Sequence, residues 1–433
     1  MENWTAHDPL EHASQLINSF HNAWDDCAKP GLIQYNRWWN ESCRSAKARY
    51  NEVLSQFSRA AFLRQCKLAK KEYFTKKINE MVKSQKSWEG TGWIKQRSLP
   101  KVPQIVANGQ VLNDLDQMFD KMHEQFMQSA TTPAISDVID ELPQQDQQSW
   151  PEFSSLELDD ALLTCSNASA PGPSHFSWEY IKIFLKDDTF RAFFLHLANN
   201  IVSLGVWPDI FKISTMVIIP KPKKEDYSKA KSYRPIALLE CPGKLISKLI
   251  ANRLQSDITI FDIPHPLQFG GRKHHSTLDA GLFIMEYITK ARNNGLYTTT
   301  LALDVAQFFP SLDKNIIISI LTKEGFNPAV TRLFESYYEE RSTKYLWNNH
   351  FYKDYEVDNG VPQGDPLSPV ISILYMSAML RKLFPFDENR RSQCLSYIDD
   401  FVLITASPSL DDNIDMLEDD FIRLSRALIL WVS

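Results

Sequence analysis

Apolar and polar residues along this chain keep two rhythms, and the changes between them mark its elements. Residues 1 to 100 place their apolar positions at helical spacing. "SAPGPSHFSWEYIKIFL" (169–185) sets a Pro-Gly-Pro turn before another helical pattern. "STMVII" is a short β-branched run that predicts a strand, followed by a Pro- and Lys-rich loop and then a helix over "CPGKLISKLIANRL". Three blocks follow. "TTTLALDVAQFF" (298–309) predicts a strand ending in Asp304, with a turn into the helical pattern "PSLDKNIIISILTKEG". "NGVPQGDPLSPVISILYMSAML" (359–380) is a Gly- and Pro-rich loop entering a long apolar helix. In "LSYIDDFVLIT" the alternation of a half-buried strand is broken by two adjacent aspartates, which predicts a hairpin with Asp399 and Asp400 at its two-residue turn. No internal repeat or low-complexity tract interrupts these patterns.

With 433 residues, 43% hydrophobic and 23% charged, this is an ordinary globular chain with room for two or three domains. The net charge of −6 argues against a general polyanion binder only until its distribution is seen. Residues 59–101 hold twelve Lys or Arg against three Glu, with Trp88 and Trp93 among them, a composition suited to lying along phosphates and stacking on bases. From Val102 to Cys165 the sign reverses, twelve acids facing the single Lys121. "SDVIDELPQQDQQSWPEFSSLELDD" in that stretch predicts a linker, with the main domain boundary near residue 150. Residues 212–253 turn basic again, ten Lys or Arg to three acids, which makes the loop after "STMVII" a plausible phosphate clamp. The six cysteines are too scattered for a Cys-x-x-Cys zinc site or a dense disulfide framework. No secretion signal and no apolar run of eighteen residues is present, so the expectation is an intracellular protein, nuclear or cytoplasmic, without membrane spans.

Adjacent carboxylates repel, so a pair in a half-buried hairpin needs a compensating cation. If Asp304, at the end of its strand, lies beside the hairpin turn, three carboxylates converge at one sheet edge. Such oxygens suit Mg²⁺, which is held by a few carboxylates together with substrate phosphates. Two ions about 4 Å apart stabilise the attacking and leaving oxygens of an in-line phosphoryl transfer.

The ordered set "APGPSHFSWEYIK", "LGVWPDIFKISTMVIIPKPKK", "YRPIALLECPGKLISKLIANRL", "PLQFGGRKHHSTLDA", "LALDVAQFFPSLD", "GVPQGDPLSPV" and "SYIDDFVL" resembles the reverse transcriptases, most closely those of LINE-type (non-LTR) retrotransposons, over roughly 165 to 405. The resemblance implies an RNA-directed DNA polymerase: two-Mg²⁺ nucleotidyl transfer from a dNTP to a DNA primer 3′-hydroxyl on an RNA template. It implies that Asp304, Asp399 and Asp400 are the catalytic carboxylates, with the Val305 carbonyl as a further metal ligand. Arg234 would grip the triphosphate, a role its donor fork suits. Phe309 would exclude a ribose 2′-hydroxyl, and Gln363, Gly364 and Tyr397 would meet the nucleotide. Lys221, Lys223, Lys224 and Arg272 would contact nucleic acid or triphosphate, and spacing does not choose among the lysines.

The implied fold is α+β: the fingers and palm of a right-hand polymerase, an antiparallel palm sheet flanked by helices, behind a helical N-terminal extension. The corresponding division is extension and linker over 1–150, fingers over 151–297 and an incomplete palm over 298–433, the reverse transcriptase domain as a whole running from about 200 to 433. Phe308, Pro310 and Gly271 depart from the residues usual in the family. The thumb, a zinc knuckle and a preceding endonuclease are not found in this sequence, and the tail "ALILWVS" is expected to leave an exposed apolar edge. That departure sustains a second reading, a catalytically inactive relic that at most binds nucleic acid.

Overall fold

The computed structural model describes residues 8–27, 38–53, 56–83, 105–107, 110–112, 114–127, 142–347 and 350–431. Trp88, Trp93 and the rest of the basic segment beyond Lys83 lie outside these residues, as do residues 136–141 of the expected linker.

The chain forms two compact units, Asp26–Val102 and a larger one made of Met1–Asp25 with Pro103–Ser433. In the smaller unit, helices Glu41–Val53 and Gln56–Lys83 pack together, with Tyr50 stacked on Phe62 at 6.1 Å and Lys70 over the Trp38 ring at 4.5 Å. Arg59, Arg64, Lys67, Lys70 and Lys71 are exposed on the second helix.

The larger unit holds a small hairpin, β1 (Val106–Ala107) with β2 (Gln110–Val111), and two principal sheets. The first sheet contains β3 (Ile213–Pro220), β4 (Tyr233–Leu239), β6 (Arg341–Trp347) and β7 (His350–Val357) in the order β4-β3-β6-β7. β3 and β6 run parallel and the other pairs are antiparallel. The second sheet is antiparallel throughout: β5 (Tyr297–Asp304), β8 (Ser392–Tyr397) and β9 (Asp400–Ser407), ordered β5-β9-β8. Strands from beyond residue 298 therefore complete the sheet begun by β3 and β4, so the sheets do not follow the linear division at 297/298 expected from the sequence.

Helix Leu367–Leu383 explains its own composition. Every residue from Val370 to Leu380 is buried, and a helix apolar all round is stable only when it is surrounded. It packs against helices Cys241–Ile260 and Lys314–Lys323, which enclose the largest core cluster. Helix Asp188–Leu204 is capped at both ends, Asp187 accepting from Phe190 N and Gly205 taking the left-handed conformation at φ 69°.

Residues 142–163 are not a free linker between domains; they belong to the larger unit. Gln148 is fixed at both ends, its backbone N–H donating to the Gly325 carbonyl and its side-chain amide to the Glu324 carbonyl. The Arg253 guanidinium lies over Trp150 and Phe153 and pairs with Glu157, whose carboxyl those contacts hold below its ordinary range against the opposing effect of burial. Polar composition masked this anchoring, because the contacts are made by residues distant in sequence. The apolar tail is likewise placed: helix Leu410–Trp431 buries Trp431 to 1% exposure against Tyr375. No helix among the described residues is long and apolar enough to cross a membrane.

Candidate active site

The β5–β9 register sets Asp304 opposite Asp400, at the end of the three-stranded sheet. Tyr397 pairs with Asp400, so the two turn residues are Ile398 and Asp399, and Asp400 is the first residue of β9 rather than part of the turn. The correction is one residue, and its cause is backbone strain that composition does not reveal: Ile398 stands at φ 59°, a conformation a β-branched residue rarely adopts. The turn is tied to β5 by Val305 N–H donating to the Asp399 carbonyl at 3.2 Å. Half-burial raises the Asp399 carboxyl above its ordinary pKa, and the neighbouring Asp400 and Asp304 raise it further. A cation would relieve that repulsion, and the donor set is all oxygen, as a hard divalent ion prefers. Among the described residues no three His, Cys, Asp or Glu side chains form a metal cage by themselves.

Asp304 and Asp399 open on a cleft of about 660 Å³ that also brings together Lys221, Lys224, Arg234, Val305, Phe309 and Gln363. This volume lies within the range of small-molecule sites. Burial, with Lys224 and Arg234 close by, lowers the Lys221 pKa, while Asp304 works against the shift. The lining thus carries both cations and carboxylates. The Gln363 loop is docked on the free edge of β4, where Ala237 N–H donates to the Gln363 carbonyl at 3.0 Å. Gly364 permits this approach: it has φ 127°, and a Cβ there would stand 2.8 Å from the Ala237 carbonyl oxygen.

Lys223, Gly364, Tyr397, Asp400 and Arg272 are not part of the cleft lining. Tyr397 packs with the small cluster around Leu267, Phe269 and Leu395. Arg272 is half-buried and uses Nη1 on the carbonyls of His265 and Gln268, at 3.3 and 3.0 Å. Conversely, Gln125, Phe126, Lys231 and Gln307 line the cleft without having been singled out in the sequence. Only Lys231, within the basic loop, carried a signal there.

A segment beside β8 holds the hairpin. Phe269 N–H donates to the Ser396 carbonyl and Ser396 N–H to the Leu267 carbonyl, at 2.9 and 3.0 Å. Gly270 lies against the turn itself: a Cβ on it would fall 2.7 Å from the Tyr397 carbonyl carbon and Ile398 Cγ1, and nearer still to Ile398 N. His265 starts the segment, with Nδ1 accepting from Leu267 N–H and Nε2 facing the Phe384 carbonyl at 2.9 Å, which fixes the neutral tautomer with Nε2 protonated. Burial lowers its pKa to about 4. The unfolded chain therefore takes the proton first, and the contribution is complete above pH 6.5 and lost as pH falls toward 4. From pH 7.5 to 5 it amounts to about 2 kcal/mol. Asp257, whose carboxyl burial raises to about 6, acts in the opposite sense. The comparison is therefore between urea midpoints of the wild type and His265→Gln at both pH values; an equal pH dependence in the two proteins contradicts the assignment.

The chain is similar to known proteins. The family described as "Reverse transcriptase (RNA-dependent DNA polymerase)" matches residues 219–425. The chain is 27% identical over 407 residues to the "Probable RNA-directed DNA polymerase from transposon X-element" of Drosophila melanogaster, covering 91% of this chain and 44% of that protein. It is also 27% identical over 230 residues to the "RNA-directed DNA polymerase from mobile element jockey" of the same organism, covering 53% of this chain and 25% of that protein. The chain thus spans less than half the length of these relatives. A solved apo telomerase from Candida Tropicalis, truncated from its C-terminal domain, overlays with a TM-score of 0.36 at 14% identity, covering 50% of this chain and 47% of that one.

Proposed function

Because residues 219–425 form a reverse transcriptase domain of the non-LTR retrotransposon type, we propose that this chain extends a DNA primer on an RNA template with deoxynucleoside triphosphates and two Mg²⁺ ions. The observation that carries the reading is the cleft itself, in which Asp304 and Asp399 line a space of nucleotide size together with Lys221, Lys224 and Arg234. In this reading the three-stranded sheet is the palm, and the β3–β4 hairpin with its basic loop belongs to the fingers.

Asp304 and Asp399, with Asp400 adjoining and the Val305 carbonyl near, would hold the cations. When bound, the ions supply charge neutralisation and activation of the primer hydroxyl for attack on the α-phosphate. The chain's own contribution is positioning. Arg234 offers a planar donor fork to the triphosphate and Lys221 and Lys224 offer point charges, so the anion replaces the mutual repulsion of these cations. Gln363 lines the cleft and would meet the nucleotide, while Gly364, outside the lining, lets this loop approach β4. Tyr397, Lys223 and Arg272 stand outside the lining, and as substrate contacts they require the bound template and primer to reach them. The exposed cations of helix Gln56–Lys83 supply phosphate contacts of the sequence-independent kind.

Phe309 lines the cleft, and in this reading it is the wall that meets the sugar. Phe309→Ala is expected to lower discrimination between a dNTP and its ribonucleotide by about tenfold or more, the scale at which a shaped pocket rejects a hydroxyl. Relative kcat/KM for dTTP and UTP tests this, and unchanged selectivity in an active variant would remove the assignment.

A further inference from the structure

Phe126 and Gln125 reach the cleft from the helix Leu115–Phe126, upstream of the residues that match the family. We propose that this helix is a built-in part of the nucleotide cleft and that Gln307 is the positioning residue through which it acts; the proposal rests on the polymerase reading above.

The helix is fixed on its sheet independently of the cleft. Met118, Phe119, Met122 and Phe126 are buried in one cluster with Met216 and Ile218 of β3. The His123 ring stacks on Tyr355 at 4.5 Å, and the Tyr355 hydroxyl donates to Asp120 Oδ1 at 2.9 Å. The last carbonyls of any helix lack an intrahelical partner. Here Gln125 offers one of them to the turn after β5, and Gln307 Nε2 donates to it at 2.5 Å.

Gln307 is a demanding place for that bond. It stands at φ 57°, a conformation that persists in a residue with a side chain only where the surroundings fix it. Its own carbonyl accepts from Ser311 N–H and Oγ, at 3.2 and 2.9 Å. One residue therefore ties the segment between Asp304 and Phe309 to two neighbours: its side chain to the upstream helix, its backbone to the turn that carries Phe309. The Gln125 carbonyl needs a donor, which sets the orientation of the amide, and Gln307 Oε1 is buried with no partner among the described residues. Among them, only the donor half of this side chain is used. A lysine, which donates and does not accept, is predicted to replace it, whereas a glutamate of the same length opposes the carbonyl with a charge.

Steady-state primer extension of the whole chain tests the clamp with Gln307→Lys, Gln307→Met and Gln307→Glu. The expected order of dNTP KM is wild type and Lys lowest, then Met, then Glu. The rise for Glu is about tenfold, the upper end for one lost hydrogen bond. Sugar discrimination narrows with it while Phe309 is intact, and kcat moves less than KM. Wild-type KM and wild-type discrimination in both Met and Glu would overturn the proposal. If the wild type shows no extension that Asp304→Asn removes, the polymerase reading fails separately, and the clamp is then judged by amide hydrogen exchange over residues 115–126. Faster exchange in Gln307→Glu upholds it, and exchange equal to the wild type overturns it.

Discussion

Asp399→Asn is expected to lower nucleotide incorporation by on the order of 10³ while leaving the protein at least as stable as before. The substitution keeps the shape of the side chain and removes its charge. In the free protein that charge is a cost: burial and the carboxylates of Asp400 and Asp304 all raise the Asp399 pKa, so ionisation opposes folding at neutral pH and the penalty fades as pH falls. Removing the charge therefore relieves the fold and, on the proposed function, would deprive the cations of a ligand. Measuring single-nucleotide incorporation and the thermal midpoint on the same preparation separates the two effects. A fall in both would mean that the variant had lost its structure, and normal incorporation would mean that the turn is not the catalytic centre.

Gly270→Ala is expected to cost about 1–3 kcal/mol of stability and at least about a hundredfold in activity. The added Cβ would enter the backbone of Tyr397 and Ile398, which cannot swing aside as the end of a long side chain can. The turn has to move, and Asp399 moves with it. Gly281→Ala is the matching control. It lies in the helix Thr277–Asn293 with nothing within 4 Å of the new atom, and is predicted to add about 0.5–1 kcal/mol from helix propensity alone. Chemical denaturation of the two variants, with incorporation rates, checks the contrast. Equal behaviour of the two variants would remove Gly270 from its supporting role.

Much of this site was legible in the chain because local pattern and final structure agree there. The Thr- and Leu-rich run ending in Asp304 is a strand, the apolar stretch after Gln363 is a buried helix, and the alternation around Asp399 is a hairpin. The turn lies one residue earlier than the alternation predicts because Ile398 takes a conformation that its side chain disfavours, with Gly270 of a distant segment close against it. The parallel pairing of β3 with β6 left no local trace, since parallel neighbours are joined by long connections and each strand reads the same with or without its partner. Gln125 and Gln307 were invisible for a related reason: each is an ordinary polar residue until the fold brings a helix end to the cleft. The anchoring of residues 142–163 by Arg253 was hidden beneath a composition that resembles a loop.

The most direct test of the central claim is primer extension on poly(rA) with an oligo(dT) primer, dTTP and Mg²⁺, comparing the purified chain with Asp399→Asn. Template-dependent extension by the wild type that requires Mg²⁺ and vanishes in the variant is expected. A folded wild type that binds the primer–template yet adds no nucleotide, or an Asp399→Asn variant that extends as well as the wild type, would contradict it.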